Sequence, residues 1–179
     1  VGLNVADFWR SLMDGVCGVG PITYFDASGL KARFAAELKG FDPTAFGIDK
    51  SAARKMDPFA QYALAAAKEA VEQSGLKAGE NIAPEELGVY IGSGIGGMQT
   101  FVEETKRCLE RGPERVSPHF IPKMIANMAT GHVAIAHGAQ GPSLPVMTAC
   151  ATSTHAVGEA FHAIKAGYAE AIIAGGAEA

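Results

Sequence analysis

No apolar run in these 179 residues approaches the roughly 20 that a membrane-spanning helix requires, so a spanning segment is not expected. Nor is there a basic-then-apolar stretch that would read as a signal peptide. Basic residues are scarce relative to acidic ones, and a net charge of −4 argues against general affinity for nucleic acid, which needs a basic surface. Cysteine is limited to Cys17, Cys108 and Cys150, an odd number without metal-ligand spacing, which points to a reducing compartment and a cytoplasmic location. The five histidines, His119, His132, His137, His155 and His162, form no H-E-x-x-H pair, so no metal site is expected. Repeats, low-complexity tracts and interdomain linkers are missing as well. With 48% apolar and 19% charged residues, the chain reads as one globular domain with a sizeable core rather than a disordered segment.

Glycine is abundant, at 22 residues, and the chain punctuates itself with it. Asn4 is a suitable N-cap for a helix with Val5, Phe8, Leu12 and Met13 on one face, Trp9 packed beside them, and Gly15 as the stop. Residues 15–30 read as loop, and 31–50 carry no firm pattern. An alanine-rich helix is predicted over 59–74, with Tyr62, Ala66, Ala70 and Gln73 along one side and Gly75 as its stop. Leu87–Ile91 reads as a short strand and 98–111 as a helix. Residues 112–120 are loop, with Pro122 suited to a first helical position. Ile121, Ile125, Met128, His132 and Ile135 then make a stripe that reads as core, with a break near Thr130-Gly131. Ala171–Ala174 is a buried strand by its continuous apolar run. Strands alternating with helices give the α/β class with a largely parallel sheet.

Two stretches carry candidate chemistry. Gly92-Ser93-Gly94-Ile95-Gly96-Gly97 fits G-x-G-x-x-G between a strand and a helix, the fingerprint of a dinucleotide site. Context rejects that use, because no second strand ending in an acidic residue follows to hold a ribose. The structural reading is that these glycines let the loop press against a neighbouring element. The second stretch is Val146-Met147-Thr148-Ala149-Cys150-Ala151-Thr152-Ser153. It reads as a buried strand ending at a cysteine, from which a helix starts at once with Val157, Ala160, Phe161 and Ile164 on one face and Gly167 at its close. A thiol there lies near unpaired N–H groups and the positive end of a helix dipole, a setting that favours a thiolate nucleophile. Strand, tight small-residue turn and helix form the same device as a nucleophile elbow built around serine. A buried cysteine that only packs is the alternative. His155, five residues on, would not point back at the thiol.

Thr148-Ala149-Cys150 with His155, Gly158 and Ala174-Gly175-Gly176-Ala177-Glu178 resembles the nucleophile region of the β-ketoacyl-[acyl-carrier-protein] synthases, and most closely their type II elongating members. Phe25-Asp26, Arg54-Lys55-Met56-Asp57, Gly92 to Gly97, and Phe120-Ile121-Pro122 through Asn127-Met128 match in the same order. The resemblance implies a thiolase-like fold, layered α-β-α-β-α in the whole protein. It also implies that residues 1–179 are an N-terminal domain cut at both ends, lacking its first strand and the C-terminal half. By this likeness Cys150 takes an acyl chain as a thioester from acyl-carrier protein. Malonyl-carrier protein then loses CO2 and attacks that thioester, in fatty-acid elongation. The decarboxylating histidines would lie in the absent half, so the fragment alone is expected to be inactive. Ile95, Phe120 and Ala149 are implied acyl-chain contacts, Phe120 reaching toward the partner of a homodimer. Arg54 and Lys55 are implied docking residues for acidic carrier protein, and no cofactor is implied. The remaining alternatives are a polyketide ketosynthase or other thiolase-fold acyltransferase, and a non-catalytic subunit that binds acyl chains or carrier protein.

Overall fold

The computed structural model describes all 179 residues, which divide into two compact units, Val1–Asp42 and Pro43–Ala179. In the first unit, helix α1 (Val5–Met13) begins where the Asn4 side chain accepts from the Asp7 amide at 2.8 Å. Asp7 in turn pairs with Arg10 at 3.2 Å. Strands β1 (Gly20–Pro21) and β2 (Phe34–Ala35) form a short antiparallel ribbon, so residues 15–30 are not all loop. Beyond the ribbon, the Glu37 carboxylate accepts from the Thr23 amide and hydroxyl and from the Tyr24 amide. These bonds, the Thr23 amide foremost, lower its pKa to about 2. The expected apolar face of α1 is present but lies open, and Trp9 is 62% exposed rather than packed. A nine-residue helix and a two-rung ribbon have too little surface to bury such a face.

The second unit is built on strand β3 (Leu87–Gly92), every residue of which is buried. Strand β4 (Ala171–Gly176) pairs with it in parallel, from Leu87 opposite Ala171 to Gly92 opposite Gly176. Alternation along β3 sends Val89 and Ile91 to one face and Tyr90 to the other. On the first face they meet helices α3 (Pro58–Ser74) and α6 (Met128–His137) through Phe59, Ala63, Leu64, Ala129 and Val133. On the other, Tyr90 packs with Ala160 and Ala163 of helix α7 (Thr152–Lys165). Helix, sheet and helix thus form three layers. The short helix α2 (Lys50–Ala53), helix α4 (Met98–Arg111) and the short helix α5 (Phe120–Met124) complete the unit.

Helix α3 starts at Pro58, with Asp57 as N-cap, and closes on Gly75 at φ +71°, as its glycine signal predicts. Its buried side is Phe59, Ala60, Ala63, Leu64 and Ala67, whereas Ala66, Ala70 and Gln73 are exposed. The helix expected from Pro122 starts earlier, at Phe120, and the chain breaks at 125–127 rather than near Thr130-Gly131. Thr130 is held inside α6 because its hydroxyl donates to the Ile91 carbonyl of β3. The predicted stripe is not the core face: Ile121 and Ile135 are exposed, and Ala126, Ala129, Thr130 and Val133 are buried instead. Helix α7 differs in the same way, with Val157, Phe161 and Ile164 outward and Ala156, Ala160 and Ala163 inward. Small residues win the sheet-facing side because they let helix and sheet backbones approach closely. No helix is long and apolar enough to cross a membrane.

Candidate active site

The buried strand expected to lead into Cys150 is not formed as such. Residues 142–144 do run parallel to β3, where the Val89 amide donates to the Pro142 carbonyl at 2.9 Å and the Leu144 amide to the Val89 carbonyl at 3.1 Å. The pairing goes no further than this single bridge, and the next β3 carbonyl, that of Ile91, accepts from the Thr130 hydroxyl instead. Leu144 and Met147 are exposed. The segment nonetheless stays against β3: a Cβ on Gly92 would collide with the Val146 carbonyl oxygen and the Thr152 methyl. Only glycine allows that approach.

From Thr148 the chain turns sharply. The Thr152 hydroxyl accepts from the Thr148 amide at 2.9 Å, and the Ala151 amide donates to the Thr148 carbonyl at 3.1 Å. Ala149 is held at φ +50°, the single non-glycine residue of the chain with positive φ. Such a conformation costs an ordinary residue roughly 1–3 kcal/mol and persists where its surroundings hold it. Cys150 follows in a tight turn over Ala149–Ala151, and α7 begins at once, as the sequence predicts. No side chain caps α7, and its first N–H, that of Thr152, donates to the Ala149 carbonyl of the preceding turn. Cys150 is exposed rather than packed within this chain.

A cleft of about 450 Å³ opens beside the thiol, lined by Gly92, Ile95, Ala149, Cys150, Ser153 and Glu178 among others. It brings together three of the residues implied by resemblance: the nucleophile Cys150, Ala149 and Ile95. Phe120 is not part of its wall; its ring lies 6.1 Å from that of Phe101 at the start of α5. Arg54 and Lys55 are exposed between α2 and α3, also outside the cleft. His155 is exposed on α7 and lines no part of the cleft.

The glycine loop after β3 shows why it needs no phosphate. The Glu178 carboxylate, just past β4, accepts from the Ser93 hydroxyl at 2.9 Å, the Gly94 amide at 2.8 Å and the Ile95 amide at 3.2 Å. The Ser93 oxygen also accepts from the Gly96 amide at 2.9 Å. An anion from the same chain thus fills the nest of donors that a dinucleotide phosphate would use. The expected close approach is real too, since a Cβ on Gly96 would fall 2.5 Å from the Met124 carbonyl oxygen. Sequence reading quoted Glu178 without a role; the signal was a cluster of loop donors needing an acceptor opposite a parallel neighbour strand.

Asp57 was also missed. It is buried, accepts from the Thr100 hydroxyl at 2.5 Å, and caps α3 through the Phe59 amide. No group of three His, Cys, Asp or Glu side chains converges as a metal-ligating cluster.

The second unit is thus an α/β layered structure with an exposed thiol on a strained turn at the mouth of a mainly apolar cleft. Residues 1–179 match the family described as Beta-ketoacyl synthase, N-terminal domain, from end to end, and the chain belongs to that family. It is 45% identical over 179 residues to 3-oxoacyl-[acyl-carrier-protein] synthase 2 of Synechocystis sp. strain PCC 6803, and 47% identical to the protein of that name from Staphylococcus aureus. All of this chain is covered in both, against 42% and 44% of those proteins, so it spans under half the length of these curated relatives. Among solved structures, the ishigamide ketosynthase/chain length factor superposes with a TM-score of 0.85 at 28% identity, covering 100% of this chain and 44% of that one. A type II polyketide ketosynthase bound to its acyl-carrier protein and a hexaketide gives 0.72 at 27% identity, covering 78% of this chain and 40% of that one. The fold is thiolase-like α/β, as the resemblance implies.

Proposed function

We propose that these residues are the N-terminal part of a condensing enzyme of fatty-acid elongation, with Cys150 as its nucleophile. The observation that carries this reading is the placement of Cys150: exposed, beside the uncapped start of α7, and opening on a cleft of mainly apolar lining. The thiolate attacks the thioester carbonyl of acyl-carrier protein, a new C–S bond forms to Cys150, and the carrier's thiol departs with a proton. The tetrahedral oxyanion between these states needs N–H donors, and in this reading the backbone N–H of Cys150 is one of them. Malonyl-carrier protein then loses CO2, and its carbanion displaces Cys150 to give the β-ketoacyl product. Ile95 and Ala149 contact the acyl chain near the thiol.

The other assignments belong to the same reading. Arg54 and Lys55 attract acidic acyl-carrier protein, acyl- or malonyl-loaded. Phe120 reaches a partner's acyl tunnel in a homodimer. The open apolar faces of α4 (Phe101, Val102) and α7 (Val157, Phe161) support burial against more protein, either the remainder of the polypeptide or a second copy. The location is the cytoplasm, in keeping with three free cysteines. Polyketide synthesis is disfavoured by the higher identity to elongation enzymes than to the polyketide ketosynthase. A non-catalytic subunit is disfavoured by the retained, exposed thiol.

The test is intact-mass measurement of the complete polypeptide after incubation with acyl-carrier protein. One acyl group per subunit is expected on Cys150, and none on the Cys150→Ala variant. Acylation of that variant would put the nucleophile elsewhere.

A further inference from the structure

We propose that Glu178 is a positioning residue that sets the acyl-chain discrimination of the cleft by fixing the wall carried by Gly94 and Ile95. The inference rests on the acyl-transfer reading above and names a residue that controls it. Three donors converge on this one carboxylate: the Ser93 hydroxyl, the Gly94 amide and the Ile95 amide. The fourth loop donor, the Gly96 amide, is tied in through the Ser93 oxygen. No side chain of the loop itself could accept from the Gly94 and Ile95 amides at once, since Ser93 is already engaged and its neighbours are glycine and isoleucine.

The consequence falls on the cleft. Ile95 lines it and is 60% exposed, so packing does little to hold its side chain in place. The position of that side chain is set by its backbone, and its backbone amide is set by Glu178. On the opposite side Gly94 rests against Ala149, the strained residue next to Cys150. Glu178 follows directly from β4, whose register with β3 is fixed over six residue pairs. The sheet therefore transmits a fixed reference to the loop through one side chain. Without it, the loop keeps its glycines and loses what selects one of their many conformations.

Geometry separates the variants. Glu178→Gln keeps the length and one carbonyl oxygen for the Gly94 and Ile95 amides. Glu178→Asp keeps the charge but is one methylene shorter, so it cannot span all three donors. Glu178→Ala removes the acceptor. In the complete polypeptide, amide exchange at 94–96 is expected to stay slow for wild type and Glu178→Gln and to accelerate for Glu178→Asp and Glu178→Ala. The ratio of kcat/KM for long over short acyl-carrier substrates should move about tenfold or more in the latter two, the scale of discrimination that one pocket contact supplies. It should stay near wild type in Glu178→Gln. Should Glu178→Ala fail to fold, the Asp variant carries the comparison. A uniform fall in activity on all chain lengths, or unchanged exchange at 94–96 in Glu178→Asp, would overturn the proposal. If wild type takes up no acyl group at all, the acyl-transfer reading fails, and the exchange measurement still decides whether Glu178 holds the loop.

Discussion

Thr100 on α4 donates its hydroxyl to the buried Asp57 carboxylate at 2.5 Å, 43 residues away in sequence. Asp57 also caps α3, so one side chain joins the helix under the sheet to the helix that follows the glycine loop. Asp57→Ala removes both bonds and strands the Thr100 hydroxyl in a buried position. The expected loss of stability is about 2–4 kcal/mol, from a lost cap and a lost hydrogen bond to a charged group. Asp57→Asn should lose less, since its carbonyl oxygen can still accept. Denaturant unfolding of the complete protein checks the order, and equal stability of all three forms would remove Asp57 from the scaffold.

Ile95 lies in the cleft wall with room around it. Ile95→Trp is expected to shorten the longest acyl chain accepted while leaving short-chain loading of Cys150 intact, because the added volume occupies space meant for the chain end. Product-length analysis decides. A residue serving only the core would instead lower the melting temperature with no change in profile.

Arg54 and Lys55 are exposed and close to the start of α3. Reversing both to Glu should raise KM for carrier-protein substrates about tenfold at low ionic strength and much less at high salt, because exposed charge attraction is screened. Turnover of a small uncharged thioester should not change. Equal effects on both substrates would mean that the pair supports the fold and not the docking.

Glu37 provides a pH test within the first unit. Its pKa of about 2 lies below the ordinary 4.5 because its carboxylate accepts from Thr23 and Tyr24. A depressed folded-state pKa means the stabilisation is whole above pH 4.5 and is lost as pH falls toward about 2. An NMR titration should find the Glu37 carboxyl and the Thr23 amide moving together near the lower value. A midpoint at 4.5 would show that those bonds are not kept in solution.

The elements of this chain were easier to read than their faces. Helices α3, α4 and α7 follow from apolar patterns closed by Gly75, Gly112 and Gly167, and strands β3 and β4 from short apolar runs, β4 extending through Gly175-Gly176 where the glycines suggest a stop. Yet α7 carries two apolar stripes one residue apart, Ala156-Ala160-Ala163 and Val157-Phe161-Ile164. Periodicity gives both the same spacing, and the expected face of Val157, Ala160, Phe161 and Ile164 shares only Ala160 with the buried side. The site divides in the same way. Cys150 and the helix behind it are local and visible in sequence, whereas Glu178 reaches its donors 83 to 85 residues back, and no local pattern records that contact. The conformation of Ala149 was invisible for a different reason: alanine gives no hint of a positive φ.

That alanine sets stability against reactivity at a single Cα. Glycine at 149 would relax the turn without distorting it, so Ala149→Gly should leave the folded protein as stable or more so. It would also loosen the backbone next to Cys150, the nucleophile in the proposed reading. The expected variant is therefore sturdier and slower, with its melting temperature kept and its rate of Cys150 acylation reduced.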